Sequence, residues 1–328
     1  MMSIAKEKPA SLAARLWVYQ AERFPLASYV PLVATFTFSA AAYSRLARGA
    51  PGFIQWQRFV VGVLTALVFF FMLRALDEHK DAGTDQRYRP ELPVPRGLVT
   101  LAELRGVGGG ALLAVLALNA LLAPVLLFPC LAIAVWAALM TREFFVREWL
   151  RAHPAAYLIS HMAIMPMIDA YTTGLDWVAG GARPSPGLAC FLVVTFLNGT
   201  VIEIGRKIRV PEAEREGVDT YTSAWGIRAA PAIWLMTLLA AAFTAWLAAR
   251  YTGAPGTGPA LRAPALTAAV LAVLVPLTTL PAIRFLQAHS AARARNIEKA
   301  SGLWVLASYL LLGGGPFAAR WFGAWQHV

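Results

Sequence analysis

The residues best suited to chemistry lie between positions 74 and 97, where Arg74-Ala-Leu-Asp77-Glu78-His79-Lys80-Asp81-Ala-Gly-Thr-Asp85 is followed by Gln86-Arg87-Tyr88-Arg89-Pro90-Glu91-Leu92-Pro93-Val94-Pro95-Arg96-Gly97. Residues four apart share one helix face about 5–6 Å apart, so Asp77 and Asp81 form a line, and Asp85 continues it where Gly83 lets the helix end. Three like charges in a row repel unless something cationic sits among them. Hard carboxylate oxygens suit Mg²⁺, which takes one or two carboxylates together with waters and substrate phosphates. Arg74, Arg87, Arg89 and Arg96 supply planar donors for phosphate oxygens, and Pro90, Pro93 and Pro95 stiffen the chain that carries them. The bland alternative is a solvated acidic loop with surface arginines. The Pro-x-x-Pro-x-Pro tail argues against it.

A second polar constellation runs from Asn198 through Glu203, Arg206 and Lys207 to Tyr221. Glu203 follows Asn198 on a segment otherwise built of Phe, Leu, Val and Thr, and an acid at that depth costs a few kcal/mol unless a partner or ligand holds it. Lys207, one turn on, reaches a diphosphate as a point charge. Two readings of the Glu203–Lys207 spacing stay open, a functional pair and a plain i, i+4 salt bridge. Glu212, Glu214 and Glu216 follow Pro211 in a loop open to water and carry no such penalty. His161 and Asp169 are further polar groups within apolar stretches, each readable as functional or as an interhelical hydrogen bond.

The elements that must position these residues are membrane helices. Of 328 residues, 58% are hydrophobic and 14% charged, against about a quarter charged in a soluble domain. Stretches near 24–47, 53–76, 106–123, 124–142, 154–179, 186–209, 229–250, 262–285 and 300–322 each reach the span length of roughly 20 residues, which predicts an all-α integral membrane protein of nine helices. Residues 1–23 read as a leader whose Leu12, Leu16 and Tyr19 predict an interfacial helix, and 24–328 as one transmembrane domain. The formal charge of +11 follows the positive-inside pattern. With the N-terminus inside, roughly three quarters of the Lys and Arg fall in cytosolic segments, so membrane topology explains the charge and no nucleic-acid partner is implied.

Smaller signals complete the pattern. Thr100 and Glu103 form a capping box that predicts a short helix, and Phe144, Phe145, Trp149 and Leu150 predict an amphipathic cap over the membrane mouth. The outer loops, the Gly/Pro-rich run from Gly253 to Pro264 among them, carry nothing that resembles a site. Glycines 106 and 108–110 lack the preceding strand and following GK[ST] of a phosphate loop, so they predict close helix packing, as do Gly313 to Gly315. Cys130 and Cys190, both near outer helix ends, have no metal-ligand spacing.

The 77–97 segment resembles the first aspartate-rich motif of the UbiA-type intramembrane prenyltransferases, NDxxDxxxD followed by R-P-x-x-P-x-P-x-G. Aligned on Arg89, Pro90, Pro93, Pro95 and Gly97, the Asn position is Asp77, the first Asp is Glu78, and the next two are Asp81 and Asp85. The family's second acidic motif is matched less well: Gly217 to Gly226 resembles its end, but Arg209 and Ala213 stand where aspartates are expected. Glu203 replacing the missing ligands, the loop glutamates folding back, and an altered second metal site all remain open.

The resemblance implies a UbiA-like bundle and Mg²⁺ held by Asp77, Glu78, Asp81, Asp85 and Glu203. Asp77, Asp81, Glu203 and Lys207 would be catalytic, while Arg74, Arg87, Arg89, Arg96, Asn198, Arg206 and Tyr221 would bind substrate. The implied reaction moves a prenyl group from a polyprenyl diphosphate to an aromatic or lipid acceptor in the cell inner membrane, with the site facing the cytosol, membrane lipids as surroundings, and Phe69, Tyr157, Tyr171 and Phe196 as aromatic faces for a cation. The rival readings are cyclisation without acceptor, transfer of a non-prenyl group to a lipid phosphate, and cation transport.

Overall fold

In the computed structural model the chain is described for residues 11–252 and 262–325. Lys6, Lys8 and most of the expected outer loop at 253–264 lie outside them. Every regular element among the described residues is helical. Eight helices are long and apolar enough to cross a membrane: Leu26–Ala47, Trp56–Lys80, Leu101–Leu122, Pro124–Thr141, Gly187–Arg206, Ala229–Ala249, Pro264–Gln287 and Ala291–Trp321. The remaining apolar stretch, expected over 154–179, is two consecutive helices. We number the helices α1 (Leu12–Arg23), α2 (Leu26–Ala47), α3 (Trp56–Lys80), α4 (Ala82–Tyr88), α5 (Leu101–Leu122), α6 (Leu127–Thr141), α7 (Arg147–Ala152), α8 (Pro154–Met162), α9 (Ile164–Gly174), α10 (Gly187–Arg206), α11 (Tyr221–Trp225), α12 (Ala229–Ala249), α13 (Arg262–Gln287), α14 (Ala291–Tyr309) and α15 (Gly315–Trp325). The break between α8 and α9 has a local cause. Pro166 has no N–H to donate to the Met162 carbonyl, so the ladder fails there.

Two apolar cores organise the bundle. One gathers residues of α10, α12, α13 and α14 around the fully buried Trp234 and Trp304, and the other gathers α3, α6 and α9 around Phe69, Ile133 and Tyr171. Helix α2 contributes to both, with Tyr43 in the first and Val33 and Ala41 in the second. The Tyr43 hydroxyl sits 2.9 and 3.0 Å from the carbonyl oxygens of Gly187 and Ala248, tying α2 to the starts and ends of its neighbours. Trp234 donates its indole N–H to the Val201 carbonyl and to Ser301 Oγ, both at 3.0 Å. In lipid such interhelical bonds and small-residue contacts replace the hydrophobic drive of a soluble core.

Several local expectations are corrected. Thr100 caps the whole of α5 rather than a short helix, because no breaker interrupts the apolar run behind it. A Cβ added at Gly106, Gly108, Gly109 or Gly110 meets nothing within 4 Å, so these glycines do not mark a close approach. Gly313 does: a Cβ there would fall 1.8 Å from the Ser39 carbonyl oxygen, where a π turn, Leu310–Gly314, presses against α2. Gly83 lies inside α4, which runs on to Tyr88. The stripe of α1 that was expected to lie on lipid is used differently, since Tyr19 is 1% exposed and packs with Leu98, Val99 and Leu104 while Trp17 faces outward. The two cysteines are free.

Candidate active site

One end of the bundle opens into a cavity of about 1040 Å³ lined mostly by ionisable and polar side chains. Its first wall is the acidic line. Backbone bonds run from Asp81 N to Asp77 O at 2.9 Å and from Asp85 N to Asp81 O at 2.8 Å, so the i, i+4 stacking continues across the α3–α4 junction and brings all three aspartates to the cavity. Asp77 is half exposed to it, with Arg74 Nη2 4.0 Å away. Asp81 makes no side-chain hydrogen bond or ion pair among the described residues. Asp85 is buried beside Arg89, with Nη1 at 3.6 Å.

Electrostatics follow from this arrangement. Burial pushes the Asp81 carboxyl above its ordinary range, opposed by Lys80 and Lys207 and reinforced by Asp85. Asp85 is likewise raised, by burial first, with Arg89 opposing and Glu78 reinforcing. A carboxylate disfavoured in its charged form gains from a cation placed beside it.

The opposite wall comes from the end of α10 and the chain after it. Arg206, Lys207, Arg209 and Tyr221 line the cavity. Glu203 does not. It lies behind them, 4% exposed, and accepts from Arg206 Nη2 at 2.5 Å and Nε at 2.6 Å on one oxygen and from Lys207 Nζ at 2.9 Å on the other. Lys207 Nζ also stands 5.5 Å from the Tyr157 ring centroid and 5.7 Å from that of Tyr221, within cation–π range. Burial raises the Tyr221 hydroxyl, and among the described residues the hydroxyl has no hydrogen-bond partner.

The segment from Val210 to Thr220 roofs the space. Gly217, in the left-handed region at φ +73°, brings the backbone so close to Tyr88 that a Cβ would lie 2.4 Å from its ring. Tyr88 donates to Glu216 at 3.2 Å, and Arg215 reaches Glu91 at 3.8 Å. Glu214 is spent inside the roof, accepting from Thr220 and Thr222. None of the three loop glutamates lines the cavity.

Lys80 and Glu143 are among the lining groups that the sequence did not single out. Lys80 bonds Tyr157 Oη at 2.8 Å and Glu143 Oε1 at 3.0 Å, and sits 4.6 Å over the Tyr157 ring. Glu143 is held there by a turn in which Glu143, Phe144 and Phe145 all have positive φ, 47°, 52° and 61°. Such left-handed non-glycine residues cost of order 1–3 kcal/mol each and cluster at functional sites. Lys80 was visible within the acidic motif. Glu143, with no spacing relation to it, gave no signal.

Other expected site residues are placed elsewhere. Glu78 is 1% exposed and does not line the cavity; it accepts from Arg23 Nε at 2.6 Å, with Arg74 Nε at 3.5 Å, so it ties α1 to α3. Arg96 bonds Glu22 on α1 at 2.7 and 2.9 Å. Arg87 is exposed outside the cavity. Asn198 donates to Ser308 Oγ and accepts from Trp304 Nε1, both at 2.9 Å, which makes it an interhelical clasp. Phe69 and Tyr171 are core residues packed edge to face, and of the four suggested aromatics only Tyr157 reaches the cavity. Asp169 bonds Tyr309 in the bundle interior, and His161 stacks on Tyr157 at 3.8 Å.

The donor set fits Mg²⁺ bound together with a phosphate ligand. Among the described residues no group of three or more His, Cys, Asp or Glu side chains is assembled to hold a metal unaided. Asp77 and Asp81, free of close partners, match an ion that takes one or two carboxylates and completes its shell with water and phosphate oxygens.

No family model and no curated sequence matches the chain. Solved structures do. A digeranylgeranylglyceryl phosphate synthase structure covers 92% of this chain and 98% of its own at 13% identity, with a TM-score of 0.59. The apo UbiA homologue of Aeropyrum pernix K1 covers 88% and 97% at 13% identity, TM-score 0.62. The UbiA homologue of Archaeoglobus fulgidus, bound to DMAPP and Mg²⁺, covers 86% and 97% at 11% identity, TM-score 0.56. The fold is UbiA-like, and the chain is a multi-pass membrane protein.

Proposed function

We propose that this protein is a Mg²⁺-dependent prenyltransferase that ionises a polyprenyl diphosphate and passes the prenyl group to a hydrophobic aromatic or lipid acceptor, releasing diphosphate. The observation that carries the reading is the cavity itself: two under-partnered aspartates on one wall face fixed cations on the other, at the mouth of an apolar bundle. In this reading Asp77 and Asp81 hold Mg²⁺, with Asp85 completing the acidic line. The ion, when bound, supplies Lewis-acid stabilisation of the negative charge that grows on the leaving diphosphate.

The chain's own groups do the rest. Arg74, Arg206, Lys207 and Arg209 donate to phosphate oxygens from positions fixed before substrate arrives, which is worth more in a cavity partly shielded from water than in solution. Glu203 acts through Arg206 and Lys207 as a positioning residue. Tyr157, whose ring already faces Lys80 and Lys207, and Tyr221, which also faces Lys207, are the aromatic faces at the cavity. Glu78, Arg96 and Arg23 anchor α1 across the same end. The abundance of Arg and Lys at the cavity end supports a cytosolic orientation in a cell inner membrane.

The test is release of diphosphate by purified protein in detergent with Mg²⁺ and allylic diphosphates of increasing length, with and without aromatic or lipid acceptors. Acceptor-dependent prenylated product is the expected result. Cyclic hydrocarbon without acceptor would replace transfer by cyclisation, and no release from any allylic diphosphate would overturn the reading.

A further inference from the structure

We infer that the wall of Arg206, Lys207 and Arg209 stands in for a second metal ion, so that this protein binds an organic diphosphate with a single divalent cation, and that Glu203 is the residue positioning that wall. The inference rests on the diphosphate reading of the cavity and specifies how the two ends of that diphosphate are held.

The acids on the second wall are accounted for one by one. Both oxygens of Glu203 are taken, one by Arg206 and the other by Lys207. Glu214 is bonded inside the roof and Glu216 to Tyr88. Glu298 lies 3.8 Å from Arg209. Glu212 is exposed and off the cavity. On this wall, Asp219 alone lines the cavity without an ion pair among the described residues, and it is exposed. A lone exposed carboxylate is a poor Mg²⁺ site. At the two positions where a second acidic motif would supply ligands, Arg209 and Ala213 line the cavity instead.

Charge decides the rest. A divalent ion placed against this wall would meet three fixed cations offset by one buried carboxylate, Glu203, whose oxygens are already engaged, and the net positive charge would repel it in a medium of reduced dielectric. A diphosphate already carrying one divalent ion on the aspartate side still has negative charge to spare, and those cations meet it. Glu203 keeps them ordered: it draws the Arg206 and Lys207 heads to one anchor, while the half-exposed remainder of Arg206 and the Lys207 ammonium stay open to the cavity.

The experiment is equilibrium dialysis of the full chain in detergent with Mn²⁺ and inorganic pyrophosphate, counting bound Mn²⁺ against bound pyrophosphate. One Mn²⁺ per pyrophosphate per chain is expected at saturation, and two would overturn the inference. Arg209→Ala, at a partly exposed site, should weaken pyrophosphate about tenfold, the loss of one charge-assisted contact, with the ratio still one. An unchanged affinity would count against the wall. Glu203→Gln should weaken pyrophosphate by a similar factor and leave Mn²⁺ binding without pyrophosphate unchanged, with Glu203→Asp recovering part of the loss. Loss of that metal-only binding would make Glu203 a ligand and refute its positioning role. A ratio of one in a protein that releases no diphosphate from any allylic substrate leaves this inference standing and ends the transferase reading. Two ions in an active enzyme does the reverse, and no pyrophosphate binding at all overturns both.

Discussion

Asp176 and Asp81 lie at opposite ends of the bundle, each within reach of basic side chains, and the fold treats them in opposite ways. Asp176 is saturated. Its carboxylate accepts from Ser44 at 2.7 Å, from Arg48 at 2.7 and 2.9 Å and from Arg45 at 3.1 Å, and its side chain is fully buried. Asp81 has none of these bonds, faces a cavity of about 1040 Å³, and is pushed up by burial. A closed ionic cluster fixes helices; an open one with its charge unmet has a place for a ligand. Residue type is the same in both, so the difference lies in burial and in whether the lone pairs are used.

The largest effect that separates the two regions is on stability. Breaking a buried ion pair from one side typically costs about 3–5 kcal/mol, so Asp176→Asn should lower the thermal midpoint in detergent more than any single cavity substitution, with Mn²⁺ bound per folded chain unchanged. If Asp81→Asn lowered the midpoint as far, the cavity would be as structural as the far end.

A smaller effect concerns pH. Because the folded-state values of Asp81 and Asp85 are raised, the native chain binds more protons than the unfolded one through the range between the unfolded and folded values. Stability of the metal-free protein therefore rises as pH falls toward and through that raised range, and divalent-ion affinity drops over the same interval. The expected result is that the midpoint gained from Mn²⁺ shrinks on mild acidification in the wild type, and that Asp81→Asn flattens the metal-free trend. An identical pH profile in both proteins would show that Asp81 is not the responding group.

How much of this was legible in the sequence depends on distance along the chain. The acidic line was readable because it is made by i, i+4 spacing, and the structure keeps that spacing through the α3–α4 junction. The Glu203–Lys207 contact was readable for the same reason. Which side of Lys207 the acid occupies was not, because that depends on how α10 is rotated in the bundle. Glu78 looked like a ligand by position in its motif, yet the fold turns it toward Arg23, 55 residues earlier. Asn198 and Arg96 were misread in the same way, claimed by Ser308, Trp304 and Glu22 from distant segments. Glu143 was invisible since three successive left-handed residues put it beside Lys80, and nothing in Glu-Phe-Phe announces such a turn. Eight of the nine expected spans were readable from hydropathy as single long helices among the described residues, whereas the break at Pro166 that splits the remaining stretch needed the ladder to be traced.

Where the chemistry happens is tested most directly by the rate of diphosphate release from an allylic diphosphate at saturating Mg²⁺, per folded chain, for Asp81→Asn and Asp176→Asn side by side with the wild type. Loss of one preorganised electrostatic contact at a reacting centre costs about 10²–10³ in rate. A fall of that size is expected for Asp81→Asn, and a rate within about twofold of wild type for Asp176→Asn. A fall of less than roughly fivefold for Asp81→Asn, or an equal loss in both variants, would contradict a reacting centre at the cavity.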